Sequence, residues 1–298
     1  MPTPFPYTGE LAALSAALIW AIASFIYLGL GKQMPPLVLN FAKSSIAIAL
    51  ILLTLLLQGN FDPNMSRLSL GLLLLSGAIG IGVGDTAFFA SLNCLGARRS
   101  LLMEALAPPL AALLASVFLA EHLSLKAWAG ILLTVGGIVW VVAERSADEV
   151  LELRPLRGIG FGLLAAFGQA GGAVLSRAGL AELSVSPLWS TLIRLLAGVL
   201  VLFLLILPQR QTWSSFQPLR SQRFLLILIA TSFMGTYLGL GLQQTALKYT
   251  ATGIAQALTA TSPLFVLPVA IALGEQVTVR AILGVLIAIS GIWLLLDF

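Results

Sequence analysis

Residues 109–138 read PLAALLASVFLAEHLSLKAWAGILLTVGGI, and residues 263–292 read PLFVLPVAIALGEQVTVRAILGVLIAISGI. The two stretches match at a constant offset of 154 residues, and the match extends over residues 84–143 and 238–297. The identical pairs include Ala97/Ala251, Pro109/Pro263, Leu110/Leu264, Glu121/Glu275, Gly130/Gly284, Gly137/Gly291 and Ile138/Ile292. The chain is therefore predicted to contain two copies of one structural unit.

The composition places this chain in a lipid bilayer. Of its 298 residues 59% are apolar and 9% are charged, and the mean hydropathy is +1.02, whereas soluble domains carry about 25% charged residues. About 20 consecutive apolar residues span the hydrocarbon core as one helix. The pattern predicts an all-α integral membrane protein with ten transmembrane helices: 9–30, 37–57, 68–91, 98–119, 124–143, 157–179, 187–207, 223–246, 252–273 and 277–296.

Several functional classes lack their sequence motifs here. The first apolar stretch has no basic segment before it, so we interpret it as a membrane helix and not as a signal peptide. Cys94 is the only cysteine, which excludes intramolecular disulfides and cysteine metal clusters. The chain has no Gly-rich phosphate loop and no nucleophile elbow. We therefore expect no enzyme activity, no metal or cofactor and no ATP-driven mechanism. The net charge of +4 suits lipid headgroups better than nucleic acid.

The domain boundary is predicted at the most polar run of the chain, residues 144–157. The first repeat then covers residues 1–146 and the second covers residues 147–298. Pro36 and Lys43 of the first resemble Pro187 and Arg194 of the second. Each half contributes five helices, so the second copy enters the membrane from the opposite side. Such inverted repeats surround a central cavity in secondary transporters.

Small residues, caps and prolines predict how the helices pack and where they bend. Glycines substitute for a hydrophobic driving force in lipid, because they let helix backbones approach closely. Ser124 and Thr278 occupy N-cap positions, and Pro109 and Pro263, like Pro108, are expected to act as kinks or hinges. The glycines that share helix faces are Gly77, Gly80 and Gly84, Gly130 with Gly137, and Gly284 with Gly291.

The motif that closes each half resembles one known family. It consists of a proline, a small residue followed by glutamate, and then Gly-x6-Gly: Pro109, Ala120-Glu121, Gly130 and Gly137, repeated as Pro263, Gly274-Glu275, Gly284 and Gly291. Together with Trp20, it is similar to the EamA-type transporters of the drug/metabolite transporter superfamily. The resemblance covers nearly the whole chain. It implies a cavity lined by helices 1, 3, 4, 6, 8 and 9, structural roles for Glu121 and Glu275, and no particular substrate. Both glutamates are predicted at the membrane edge, where a carboxylate can accept hydrogen bonds from nearby helix-start amides. Arg98 and Arg99 replace the small residues usual in this family.

Two carboxylates inside predicted helices are the first candidates for transport. Charged side chains within a membrane are functional candidates by default. Asp85 and Glu104 lie equally far from the turn at residues 94–95, so they have equal depth on neighbouring helices. Gly239 and Leu258 replace them in the second half. One interpretation is that the carboxylates bind a cationic group or a coupling proton. The other is a structural ion pair with Arg98, Arg99 or Lys43.

Other polar and aromatic residues form a second set of candidates. Lys43 and Arg194 are expected to snorkel to headgroups or to join a salt bridge, with attraction of an anionic substrate as the alternative. Trp20, Tyr27, Phe88, Phe89 and Tyr237 could line a site for a flat or cationic ligand. An opposite, amide-rich wall is expected from Gln169, Gln243, Gln244 and Gln256, for which helix–helix hydrogen bonding is the alternative.

The orientation of the chain has two competing indications. Lys32, Arg98, Arg99, Arg145, Arg154, Arg157, Arg210, Arg220, Arg223 and Arg280 fall on one side of the predicted membrane. The other side has Arg67, Lys126, Arg177 and Lys248. The positive-inside rule then places both termini outside the cytoplasm, whereas the resemblance implies cytoplasmic termini.

These observations predict a secondary transporter of the bacterial inner membrane. It would export small metabolites such as amino acids or amines by alternating access, with protons as a candidate coupling ion. The alternatives are efflux of cationic compounds, and a lipid flippase or non-transporting membrane component. The expected partners are a small-molecule substrate and the lipid bilayer.

Overall fold

The computed structural model describes residues 7–59, 65–95, 97–142, 155–182, 184–208, 212–265 and 279–296. Most of these residues are helical. The α-helices are α1 (Thr8–Gly31), α2 (Pro36–Gln58), α3 (Arg67–Gly77), α4 (Asp85–Leu95), α5 (Ala97–Glu104), α6 (Ala107–Phe118), α7 (Leu125–Val142), α8 (Pro155–Gly179), α9 (Pro187–Ile206), α10 (Gln222–Thr231), α11 (Gly239–Tyr249), α12 (Thr252–Thr259) and α13 (Val279–Leu296). A 3₁₀ helix covers Thr212–Arg220.

Nine helices within the described ranges are long and apolar enough to cross a membrane. They are Thr8–Gly31, Pro36–Gln58, Arg67–Leu92, Ser100–Phe118, Leu125–Val142, Leu156–Gly179, Pro187–Ile206, Gln222–Tyr249 and Val279–Leu296. The remaining predicted helix begins with α12, and residues 266–273 lie outside the described residues. The all-α membrane fold is confirmed, whereas the count of ten and the inverted arrangement stay predictions.

The helices begin where local sequence supplies a cap. The hydroxyl of Ser66 accepts a hydrogen bond from the Ser69 amide at 3.1 Å, and Ser186 accepts one from Trp189 at 3.2 Å. The predicted cap at Ser124 is confirmed by a 3.1 Å bond from the Ala127 amide. These bonds satisfy amides that the first turn of a helix leaves unpaired. Thr278, the other predicted cap, lies outside the described residues.

Glycines bring α7 and α13 into close contact. A Cβ atom added to Gly137 would collide with Gly284 and Ala288, and one added to Gly291 would collide with Thr134. The same holds between α8 and the third span, where Gly172 faces Gly80. The predicted glycine packing is therefore confirmed at these contacts. Close backbone approach provides the van der Waals contact that holds helices together in lipid.

Two π-helical segments interrupt the third and eighth spans. They cover Ala78–Gly84 and Ser232–Leu238, and each has seven residues. Their first residues differ by the same 154 positions that relate the two sequence repeats. A π-helical turn adds a residue to the helical turn and re-aims the side chains that follow, often at functional sites. The α-helix resumes with Asp85 in one copy and Gly239 in the other.

A second break divides the fourth span. Residues Ala105 and Leu106 form a turn between α5 and α6, and Pro108 and Pro109 follow in the first turn of α6. Proline lacks an amide donor and is tolerated in that first turn. α12 ends with a similar turn at residues 260–261, after which Pro263 lies in a resumed helical segment. The prolines mark real interruptions, while their action as hinges stays a prediction.

Candidate functional site

The larger of two neighbouring chambers has a volume of about 460 Å³. Its polar lining consists of Trp20, Ser24, Glu104, Gln169, Gln243, Gln256, Thr259 and Ser262. Val142, the last residue of α7, and Leu101, in the middle of α5, also line it. The chamber therefore extends toward the end of the bundle at which α7 ends and α5 begins, which we call the chamber end.

The smaller chamber has a volume of about 170 Å³ and contains most of the buried charge. Its polar lining consists of Trp20, Asn40, Lys43, Ser44, Asp85, Gln169, Arg194, Thr236 and Gln243. Trp20, Gln169 and Gln243 line both chambers. The two spaces therefore share a wall of one indole and two amides.

Two amide side chains hold the Asp85 carboxylate. The Nε2 atom of Gln169 donates to Oδ1 at 2.9 Å, and the Nδ2 atom of Asn40 donates to Oδ2 at 3.5 Å. Asp85 follows the π-helical segment directly, so that segment sets its direction. Its charge interacts with those of Lys43 and Arg194. Neither cation forms an ion pair within 4.0 Å of the carboxylate in the described structure.

The two cations of the small chamber point inward. Arg194 is 5% exposed, and its Nε atom has no hydrogen-bond partner. Gly77 leaves room for the backbone at Arg194. The Nζ atom of Lys43 lies 5.5 Å from the centre of the Tyr27 ring, a cation–π arrangement. The snorkelling or salt bridge that we expected from the sequence is therefore wrong for Arg194, and Lys43 likewise lines the chamber.

Glu104 lines the large chamber. It is the last residue of α5 and is half-buried immediately before the break at Ala105. Its charge interacts with that of Asp85 across the shared wall. The ion pairs that the sequence suggested with Arg98 and Arg99 involve side chains outside the described part of the structure. The two carboxylates, which the sequence predicted at equal depth on neighbouring helices, line adjacent chambers.

Among the aromatic candidates, Trp20 lines both chambers. Its Nε1 atom donates to the carbonyl oxygen of Gly235 at 2.7 Å. The other four lie outside the lining of the two chambers. Tyr27 contacts Thr231 and Thr236 through its hydroxyl, Tyr237 bonds to Thr54 and stacks on Phe233, and Phe88 packs against Phe89.

The glutamines separate into two groups. Gln169, Gln243 and Gln256 line the chambers, as expected for an amide-rich wall. Gln244 is fully buried and accepts hydrogen bonds from Ser176 and, at 2.8 Å, from Ser190. Gln244 therefore joins helices α8, α9 and α11, which is the helix–helix alternative for this residue.

Three residues that line the chambers were not predicted from the sequence: Asn40, Ser24 and Thr236. Asn40 is 1% exposed and contacts Asp85. An asparagine inside an apolar helix was a usable signal, because a buried amide in lipid needs a partner. Ser24 and Thr236 carried no such signal, since hydroxyl groups can bond to the preceding turn of their own helix.

A hydrogen-bond network closes the opposite end of the bundle, which we call the latch end. Glu121 accepts from Nε of Arg177 at 2.9 Å and from the Thr252 amide at the start of α12 at 2.8 Å. Arg177 also donates to the carbonyl oxygens of Leu247 and Lys248. The carboxylate thus binds a helix-start amide, as the sequence predicted. Glu275, its counterpart in the second copy, lies outside the described residues.

Comparison with known proteins identifies the family. A profile of the EamA-like transporter family matches residues 7–143 and 156–297. The chain belongs to this family. EamA-like proteins are membrane transporters of the drug/metabolite type, so the chain is an integral membrane protein. The two matched ranges leave out the polar run at the middle of the chain.

Two individual proteins are similar to this EamA-like chain. The uncharacterized protein PA1977 of Pseudomonas aeruginosa is 29% identical over 147 residues, which are 49% of this chain. The match spans about half (50%) of that relative's length. A solved crystal structure superposes with a TM-score of 0.81 at 17% identity, covering 96% of this chain and 95% of that one. This likeness shows the fold alone.

Proposed function

We propose that this EamA-like protein is a secondary transporter that exports small metabolites, such as amino acids or amines, across a bacterial inner membrane. The observation that carries the proposal is the pair of adjoining chambers. Their volumes of about 460 and 170 Å³ suit a small ligand, since ligand pockets range over about 300–1,000 Å³. Charges of both signs and three glutamines in one polar space suit a polar metabolite.

Alternating access is supported by the difference between the two ends of the bundle. The latch end is held by Glu121, Arg177 and the start of α12, whereas the large chamber extends to the chamber end. A transporter that exposes its site to one side at a time has one end closed in each conformation. The breaks near Pro108 and Pro263 would let the two halves of each of the predicted helices 98–119 and 252–273 move separately.

Asp85 and Glu104 are the groups that we propose for coupling or cation binding. Glu104 lines the large chamber and Asp85 lines the small one, and the two chambers share the wall formed by Trp20, Gln169 and Gln243. A carboxylate that repels a second carboxylate across a polar wall favours uptake of a proton or a cation. Binding of either to one residue would change the affinity of the other.

Efflux of hydrophobic cations is the second candidate function. Trp20 and Glu104 line the same large chamber, and an aromatic face beside a carboxylate suits a flat cation. This function differs from the first in the substrates it accepts. A metabolite exporter discriminates among polar solutes, whereas a cation efflux protein transports unrelated hydrophobic cations.

The test is radiolabelled uptake into proteoliposomes containing the full-length protein, with amino acids, amines and hydrophobic cations, each with and without a pH gradient. We expect saturable flux of a polar metabolite that the gradient accelerates. Asp85→Asn and Glu104→Gln should remove the acceleration, while Glu182→Gln, the same chemical change outside the chambers, should retain it. If both chamber variants transport at the wild-type rate over a pH series, neither residue couples protons. Saturable flux of hydrophobic cations alone would favour efflux.

A further inference from the structure

The charges around the small chamber do not balance. Lys43 and Arg194 both line it, and Asp85 is the one carboxylate among its lining residues. The oxygens of Asp85 accept from Gln169 and Asn40 and lie beyond ion-pair distance from both cations. One positive charge in this space therefore lacks a compensating negative charge from the described residues.

The guanidinium group of Arg194 has a buried hydrogen-bond donor without an acceptor. Arg194 is 5% exposed, and the donor is its Nε atom. Buried donors in folded proteins nearly always have a partner, and an exception calls for a specific explanation. Its Nη2 atom lies beside Gly80, where a Cβ atom would come within 3.4 Å. Gly80 thus leaves space beside this side chain, and Gly77 leaves space for the backbone of Arg194.

Lys43 provides the second positive charge of the small chamber and leaves the guanidinium group of Arg194 accessible. Its ammonium group lies over the Tyr27 ring, and the hydroxyl of that ring is fixed by Thr231 and Thr236 at 3.2 Å. An ammonium on an aromatic face keeps its remaining N–H donors available. An oxyanion could therefore bind both cations at once. The planar guanidinium of arginine binds carboxylate or phosphate through two parallel hydrogen bonds.

We propose that the small chamber binds the anionic group of the transported solute, a carboxylate or a phosphate, between Arg194 and Lys43. This inference rests on the proposed transport function and narrows its substrate class, because it excludes simple amines as the preferred cargo. The remainder of the solute would pass Trp20 and Gln169 into the large chamber. Glu104 lies there and would bind a cationic group at the far end of the solute.

The test measures binding directly, by isothermal titration of the detergent-purified full-length protein. The probes form two series, one with the phenylalanine side chain and one with the leucine side chain. The first consists of phenylalanine, phenethylamine, 3-phenylpropionate and phenethyl phosphate, and the second consists of the corresponding leucine analogues. We expect an anionic member to bind about tenfold or more tightly than the amine. The phosphate and carboxylate members then identify which oxyanion the chamber prefers.

Substitutions at Arg194 distinguish a role in anion binding from a purely structural role. Arg194→Gln should weaken the anionic probes about tenfold or more and leave the amine unchanged, and Arg194→Lys should restore part of the loss. Arg67→Gln, the same change at an exposed position, should bind like wild type. If Arg194→Gln does not elute as folded protein, Lys43→Gln replaces it with the same expectation. Amine binding as tight as anion binding, equal weakening of all probes, or no binding by wild type would each overturn the proposal.

Flux measurements distinguish this proposal from the transport function. Anion binding that depends on Arg194 but produces no flux under any gradient would refute transport and support the anion site. Flux restricted to amines and insensitive to Arg194→Gln would refute the anion site and support transport.

Discussion

Residues 78–104 and 232–258 follow the same backbone course but contain different chemistry. Each begins with a π-helical segment of seven residues and continues with an α-helix of 11 residues. A second short helix of eight residues follows in both, α5 in the first copy and α12 in the second. The first copy has Asp85 and Glu104 at the positions where the second has Gly239 and Leu258. The repeat conserves the path of the chain, while one copy alone supplies the carboxylates.

The reason for the difference at Asp85 lies in the facing helix. A Cβ atom on Gly239 would collide with the indole of Trp20. Trp20 and Gln169 correspond at the offset of 149 residues that also relates Gly9 to Gly158 and Ala17 to Ala166. One copy thus pairs an aspartate with a glutamine, and the other pairs a glycine with a tryptophan. The members of each pair are in contact, so a substitution at one member affects the other.

Glu104 and Leu258 differ in what surrounds them. Leu258 is fully buried in a cluster that includes Ala112, Ile131 and Leu247. Glu104 is half-buried and lines the large chamber. The same backbone position therefore faces an apolar core in one copy and a polar space in the other.

The largest effect is expected from Leu258→Glu, which places a carboxylate at the equivalent position of the second copy. It would bury a charge among apolar side chains, and an unpaired buried charge costs about 3–5 kcal/mol. We expect the free energy of unfolding to fall by this amount, or folded protein to be absent. Size-exclusion chromatography and thermal denaturation in detergent measure it.

Two controls accompany this variant. Leu258→Met should cost less than about 1.5 kcal/mol, because it conserves volume and polarity. Glu104→Leu, the reverse exchange, should fold as stably as wild type since it removes a partly buried charge. Equal stability of Leu258→Glu and Leu258→Met would show that the two positions have similar surroundings.

The second prediction compares Glu121 with its repeat partner Glu275. Glu121→Ala removes bonds to Arg177 and to the Thr252 amide, and a hydrogen bond to a charged group contributes about 1.5–3 kcal/mol. At the offset of 149 residues, position 28 corresponds to Arg177 and holds leucine. We therefore expect a larger fall in the unfolding free energy for Glu121→Ala than for Glu275→Ala. A larger effect of Glu275→Ala would contradict the assignment of the latch to the first copy.

The third prediction tests the glycine–tryptophan pair. Gly239→Ala should cost about 1–3 kcal/mol, the usual penalty for overpacking, because the new methyl group meets the Trp20 indole. In a Trp20→Leu background the same substitution should cost less. Thermal denaturation of the four proteins gives the coupling energy. A cost of Gly239→Ala that is identical in both backgrounds would mean that Trp20 does not restrict this position.

The sequence predicted those features that depend on one helix or on a repeated motif. The spans follow from hydropathy, the break after α5 from Pro108 and Pro109, and the close packing at the glycine faces of α7 and α13 from the spacing of those glycines. The sequence also predicted that the Glu121 carboxylate accepts a hydrogen bond from a helix-start amide, which is the amide of Thr252. Each of these inferences needs only local spacing or one repeated pair of positions.

The sequence did not predict features that depend on the rotation of one helix about its axis. Helix α9 is apolar on most sides, so nothing in its pattern indicates that Arg194 points into the bundle. The same holds for Asn40 and its contact with Asp85. The π-helical segments Ala78–Gly84 and Ser232–Leu238 have the composition of ordinary apolar helix. They appear only when tertiary packing fixes the helical register.

The smallest effect is expected at the two caps that begin the third and eighth spans. Ser66 caps α3 and donates its backbone amide to Oε2 of Glu182 at 3.1 Å. Ser221 caps α10 and shares a groove with Gln33, which corresponds to Glu182 at the offset of 149 residues. One cap thus has a titratable neighbour and the other has a neutral one.

This pair provides a pH experiment with an internal control. Hydrogen bonds from the Ser66 hydroxyl and amide hold the pKa of Glu182 below its ordinary value of 4.5. A carboxyl whose folded-state pKa is lowered stabilises the fold above its ordinary pKa, and that contribution disappears as the pH falls through the folded-state value. The coupling between Ser66→Ala and Glu182→Gln should therefore be present at pH 7 and vanish well below pH 4.5. The coupling between Ser221→Ala and Gln33→Ala should not change over the same range. Because Glu182 is partly exposed to solvent, salt should weaken its contribution further. A coupling that grows on acidification would mean that Ser66 binds the protonated form.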